Sequence, residues 1–194
     1  MIALRTHVAR APAPEIPAWT LQRERDGHRL AFAAPPTTRS GPVASEDLAR
    51  IARVLGIGLD DIIESQWVDN GPGWVAVLLR SAEAVLELRP TGDGEHLDIG
   101  VVGLYPEGSA CAYEIRAIFT NDRREVMEDP VTGSLNASVA QWLVGGGRVT
   151  PPYVASQGTA MGRAGRPRIS QDAEGAIWVG GATRTIVSGT VDVE

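Results

Sequence analysis

The chain has 194 residues and 43% hydrophobic side chains, enough to bury a core and too apolar for a disordered segment. Its formal net charge of -6, with no basic run, speaks against nucleic acid as a partner. One cysteine, Cys111, rules out an internal disulfide, and three scattered histidines (His7, His28 and His96) give no metal-ligand spacing.

Every basic side chain is an arginine; the sequence contains no lysine. A lysine Schiff base to pyridoxal phosphate or to a carbonyl substrate is therefore excluded, and any proton-transfer chemistry on this chain must work without that cofactor. No apolar run reaches the length of a membrane span, and the segment from Met1 to Arg5 opens no signal-peptide core. The expected location is cytoplasmic, with no membrane partner.

Pro12, Pro14 and Pro17 break any helix near the start, so residues 1–26 read as an extended lead-in and 27–194 as the folded domain. Leu30 to Ala33 reads as a strand stopped by Pro35 and Pro36. Ser45 reads as the N-cap of a helix, with Glu46 and Asp47 in its first turn and Leu48, Ile51 and Leu55 on one face; Gly56 ends it. Ile62 to Val68 and Trp74 to Leu79 read as strands joined by a turn at Asp69-Asn70-Gly71-Pro72-Gly73. Ser81 caps a short helix that stops at Leu88, before Pro90. Two more strands follow, Leu97 to Leu104 and Ala112 to Phe119. Cys111 reads as a buried structural thiol in a strand. The tail holds further strands around Tyr153 to Ser156, Arg166 to Ser170, Ile177 to Gly180 and Thr185 to Val193.

One helix differs from the rest. It runs from Ser134 to Val144 and ends at Gly145-Gly146-Gly147, read as a C-cap. Leu135, Ala137, Val139, Ala140, Trp142, Leu143 and Val144 surround nearly its whole circumference, which predicts burial on most sides. In a strand-rich chain this implies a sheet rolled around a central helix. Trp67, Trp74 and Trp142 read as core.

That helix opens with Glu128-Asp129-Pro130-Val131-Thr132-Gly133-Ser134. Two readings of this segment stand side by side. In one it is an anion cradle: free helix N–H groups, a close backbone approach at Gly133, hydroxyls from Thr132 and Ser134, and the Asp129 carboxylate beside them as proton donor or acceptor. In the other, acids, a proline and a hydroxyl before a helix are ordinary capping chemistry.

Residues 128–144 resemble the signature of the PhzF (phenazine biosynthesis PhzC/PhzF-like) family, which has the diaminopimelate-epimerase-like fold. Leu30-Ala31-Phe32-Ala33-Ala34-Pro35-Pro36, Trp67-Val68-Asp69-Asn70-Gly71-Pro72-Gly73-Trp74, Tyr153-Val154-Ala155-Ser156-Gln157-Gly158 and Gly162-Arg163-Ala164-Gly165-Arg166 carry the same resemblance. It covers the chain from about residue 20 to its end and is placed on the family's C-terminal domain alone, so the lead-in is the interdomain segment and the family's N-terminal domain is absent. The fold implied is α+β: a mixed or antiparallel β-sheet rolled around a central buried helix.

The resemblance implies an isomerase that shifts a proton on a small amino- or hydroxy-acid without cofactor or metal. Asp129 matches the acidic residue near the substrate, and Gly133 and Ser134 match groups that hold it. Thr132, Gln157 and Gly158 complete the expected substrate-binding set with Asn136, which stands where many members have histidine. Asn70 and Gly71 are explained by the turn. The family's glutamate base, in a Ser-Glu-Thr-like motif, and its Gly-His-Pro-Thr-like helix start have no counterpart here. Three expectations follow: an isomerase completed by a separate N-terminal-half chain or a longer product; a catalytically silent small-carboxylate-binding or assembly module, with a homodimer setting two helix starts face to face; and, least supported, a hydrolase, for which no Gly-x-Ser-x-Gly elbow exists.

Overall fold

In the computed structural model, which describes residues 21–23, 29–92, 95–184 and 186, the first elements are strands β1 (Leu21–Arg23) and β2 (Arg29–Ala33), paired antiparallel. Strand β3 (Arg39–Gly41) precedes helix α1 (Ser45–Leu55). Ala44, not Ser45, is the N-cap of α1 and makes no side-chain cap bond, whereas Gly56 closes the helix in the left-handed conformation at φ 72°. Strands β4 (Ile62–Asp69) and β5 (Val75–Leu79) form an antiparallel hairpin. Helix α2 (Ala82–Glu87) is capped by Ser81, whose Oγ accepts the Ala84 N–H at 3.3 Å. Strands β6 (Asp98–Leu104), β7 (Tyr113–Thr120) and β8 (Val126–Asp129) lead into helix α3 (Gly133–Gly145). Strands β9 (Tyr153–Val154), β10 (Ser156–Gln157), β11 (Arg168–Gln171) and β12 (Ile177–Ala182) complete the described fold. The lead-in, apart from β1, and the strand expected at 185–193, apart from residue 186, lie outside the described residues.

The strands form two separate sheets. One has five strands in the order β1-β2-β12-β11-β9; the other has seven, in the order β10-β7-β6-β5-β4-β3 with β8 also on β7. This corrects the expected architecture. The α+β class holds, but no single sheet rolls around the helix. The chain changes sheets at Ala155, between β9 and β10, where a single strand was expected.

Helix α3 packs between the two sheets. Leu135, Val139, Trp142 and Leu143 meet Ala76, Leu78, Val102, Tyr113 and Ile115 of the seven-stranded sheet, and Trp74 just before β5. Ala137 and Ala140 meet Ile169, Ile177 and Val179 of the other. Tyr153 from β9 also reaches across to Tyr113 on β7, edge to face with ring centroids 5.6 Å apart. On its far side the seven-stranded sheet carries α1 and α2, with Ile51, Val54, Leu55 and Val85 against Val75, Val77, Leu79, Ile99 and Val101. A strand covered on both faces has no polar side, and β5 is accordingly an unbroken apolar run, buried throughout. Cys111 is half-buried and lies just before β7, not in it.

Candidate functional site at the start of α3

Strand pairing builds the site. β8 runs antiparallel to β7 with Asp129 opposite Ala117, and β10 runs parallel to it with Gln157 opposite Ile115. Both strands occupy the β7 edge left free by β6, so their ends converge there. Asp129 and Gln157, 28 residues apart in sequence, meet directly: Gln157 Nε2 donates to the Asp129 carbonyl at 2.9 Å.

The Gln157 side chain is fully buried and ties the entry to α3 together. Its Oε1 accepts the Thr132 N–H at 3.0 Å and Asn136 Nδ2 at 2.7 Å. Its Nε2 also donates to Thr132 Oγ1 at 3.1 Å. Asn136 Nδ2 donates in addition to the Thr132 carbonyl at 2.8 Å, while its buried Oδ1 has no partner among the described residues. Gly158 sits in the left-handed region at φ 84°, and a Cβ there would stand 2.8 Å from the Pro130 carbonyl oxygen. A Cβ on Gly165 would stand 2.3 Å from Val131 Cγ2, so residues 130–131 lie against bare backbone on two sides.

Thr132 is the N-cap of α3, yet its hydroxyl makes no cap bond. Thr132 Oγ1 donates instead to Asp129 Oδ2 at 2.6 Å. The first N–H satisfied within the helix is that of Asn136, bonded to the Thr132 carbonyl at 3.1 Å. The N–H groups of Gly133, Ser134 and Leu135 are left without acceptors among the described residues. Ordinary capping, the competing reading of this segment, therefore does not describe its geometry.

Ser134 adds a directed hydroxyl. Its Oγ accepts Trp74 Nε1 at 3.1 Å, and its carbonyl accepts Asn70 Nδ2 at 2.9 Å. The acceptor role toward Trp74 turns the Ser134 proton away from the indole. The β4–β5 turn thus braces the first turn of α3. Asp69 shapes that turn, with Oδ1 accepting the Gly71 and Gly73 N–H groups at 2.7 and 2.8 Å. Burial alone would raise the Asp69 carboxyl, but those two bonds, with Thr38 and Arg39 beside it, hold it below the ordinary value. Phe32 of β2 lines the other side, 3.4 Å from where a Gly133 Cβ would stand.

Glu128 belongs to a different environment. It forms a two-pronged ion pair with Arg116, at 3.1 Å from Nε and 2.7 Å from Nη2. Arg116 Nη1 also donates to the Val85 and Leu88 carbonyls at the end of α2. Glu128 is thereby committed to the fold, and Asp129, whose Oδ1 has no described partner, is the carboxylate at the α3 start.

Of the residues singled out in the sequence, Asp129, Thr132, Asn136 and Gln157 share one hydrogen-bonded cluster; Gly133 and Ser134 form its mouth, and Gly158 packs beneath Pro130. Trp74 was read as core, which its 5% exposure fits, but its indole N–H reaches the site, as does Asn70. A tryptophan two residues beyond the turn's Gly-Pro pair was the available sequence signal. Among the described residues no group of three or more His, Cys, Asp or Glu side chains is placed to hold a metal, and no helix is long and apolar enough to cross a membrane.

Comparison with known proteins supplies the family. The chain is 27% identical over 185 residues to Antisense-enhancing sequence 1 of Schizosaccharomyces pombe, covering 88% of this chain and 62% of that one. Its fold is similar to that of a PhzF-family phenazine biosynthesis protein of Bacillus anthracis, with a TM-score of 0.63, 14% identity, and 84% of this chain and 61% of that one covered. A Pseudomonas aeruginosa protein described as a predicted epimerase gives a TM-score of 0.62 at 20% identity, over 87% of this chain and 62% of that one. The chain thus spans somewhat under two thirds of the length of these relatives. The family profile described as phenazine biosynthesis-like protein matches residues 2–190. That span takes in the lead-in and corrects the placement of the resemblance on a C-terminal domain alone. With nearly its whole length matched, the chain belongs to the phenazine biosynthesis-like (PhzC–PhzF) family.

Proposed function

We propose that the start of α3 binds the carboxylate of a small amino- or hydroxy-acid and that Asp129 exchanges a proton with the bound acid, as one lip of a cofactor-independent isomerase site. The observation that carries this is the N-cap whose hydroxyl turns to Asp129 and leaves three helix N–H groups open. Those donors sit at the positive end of the helix and suit an anion. The Thr132 hydroxyl holds Asp129 Oδ2, leaving Oδ1 for the substrate. An isomerisation needs a second group to take a proton from the substrate carbon while Asp129 returns one elsewhere. That group is assigned to an opposite lip, contributed by another chain, a second copy or further sequence.

A second reading is a module that binds small carboxylates without catalysis. The ion pair of Glu128 with Arg116 favours it, because it removes the neighbouring carboxylate from service as a base. Incubation in deuterium oxide with alanine, serine, lactate and malate separates the two. The isomerase reading expects deuterium at the substrate carbon, lost in Asp129→Asn. No incorporation, with melting temperature still raised by the acids, leaves the binding module. Neither effect rejects both readings.

A further inference from the structure

Glu114 lies on β7 with its side chain fully buried. Its neighbours Tyr113 and Ile115 face α3, so Glu114 points to the opposite side of the sheet. Its Oε2 accepts the Tyr105 hydroxyl at 2.9 Å and Thr159 Oγ1 at 3.1 Å, while Oε1 has no partner among the described residues. Thr159 Oγ1 lies 3.1 Å from Ser156 Oγ, which accepts Arg166 Nη1 at 2.9 Å. Thr159 donates to Glu114 and Arg166 to Ser156, and the Ser156–Thr159 contact closes the row between them. Burial, then the bond and charge of Glu114, push Tyr105 up to about 12, which keeps it a donor.

An apolar replacement of Glu114 alone would leave the Tyr105 and Thr159 hydroxyls without this acceptor. What Glu114 supplies is direction. Ser156 and Thr159 flank Gln157 and Gly158. The Gln157 side chain points the other way, into the cluster around Thr132, Asn136 and Asp129. Gly158 leaves no room for a side chain, since a Cβ there would meet the Pro130 carbonyl oxygen at 2.8 Å.

We propose that Glu114 is a positioning residue for the start of α3: through Thr159 it fixes the 156–159 segment, and that segment holds Gln157 in place to orient Thr132 and Asp129. As a claim about a binding site, this rests on the function proposed above; as a claim about coupling, it is tested without a ligand.

The test compares 1H–15N spectra of the full chain as wild type, Glu114→Gln, Glu114→Leu and, as a control for lost stability, Val101→Ala. In Glu114→Leu the Gln157 side-chain amide and the Thr132 N–H shift and exchange with solvent about tenfold faster. Glu114→Gln, whose amide oxygen still accepts from Tyr105 and Thr159, keeps the wild-type positions. Val101→Ala lowers the melting temperature and moves neither signal. Folded Glu114→Leu with unchanged Gln157 and Thr132 signals overturns the proposal. Should Glu114→Leu fail to fold, Thr159→Val breaks the same link while sparing the Tyr105 bond, and its spectrum decides on the same criterion. Sodium lactate added to the wild type reads the site separately: without a shift at Ser134 the binding function fails, while movement of Gln157 in the variants still establishes the coupling.

Discussion

The carboxamide oxygen of Gln157 accepts the backbone N–H of Thr132 at 3.0 Å, joining the last residue of β10 to the N-cap of α3 across 25 positions of sequence. Both groups are buried, so neither has water as an alternative. Gln157→Met keeps the volume and removes both acceptor and donor. It is expected to cost about 2–4 kcal/mol, read by chemical denaturation, with unfolding still a single transition.

The Trp74 indole and the Ser134 hydroxyl form a pair whose energy is separable. Trp74→Phe retains the ring and deletes the N–H; Ser134→Ala deletes the acceptor. Either single change is expected to weaken stabilisation by lactate. The double variant is expected to fall short of the sum in stability by about 0.5–1 kcal/mol. Additive losses in a double-mutant cycle would show that the two groups do not interact.

Arg116 is buried and Glu128 partly so, with side-chain exposures of 6% and 13%. Arg116→Met strands Glu128 and the two α2 carbonyls, and is expected to lower the melting temperature by about 6–20 °C. Arg116→Met combined with Glu128→Leu removes both charges and is expected to be more stable than Arg116→Met alone. A scanning calorimetry trace for each variant checks this ordering.

Much of this was legible in the sequence and some was not, for physical reasons. The apolar circumference of residues 135–143 announced a buried helix, and Gly56 and Ser81 acted at their helix ends as read. Segment 128–134 looked like one helix start because its acids precede a helix. In fact Glu128 and Asp129 close β8, a strand of four residues, too short to show alternation and defined by its partner β7. The rolled sheet failed because an all-apolar helix demands cover on every side without stating whether one sheet or two provides it. Gln157 was legible as a family residue but not as a clamp, since a side chain reaching across 25 positions leaves no local trace.

The β4–β5 turn carries a pH dependence. The Asp69 carboxyl is below its ordinary 3.8 in the folded chain, so its contribution is complete above that value and is lost as pH falls through the folded one. Asp69→Asn is expected to melt below wild type at about pH 7 by about 2–4 °C, with the gap narrowing once the pH drops under 3.8. A gap that persists unchanged into acid would mean that the charge is not what Gly71 and Gly73 require.

The central claim, that the open start of α3 receives a small carboxylate, is tested most directly by following backbone amides while sodium lactate is added, against sodium chloride at equal ionic strength. The account predicts saturable shifts at Gly133, Ser134 and Leu135 with lactate alone, weakened in Ser134→Ala. Shifts with both salts alike, or none at these three residues, would contradict it.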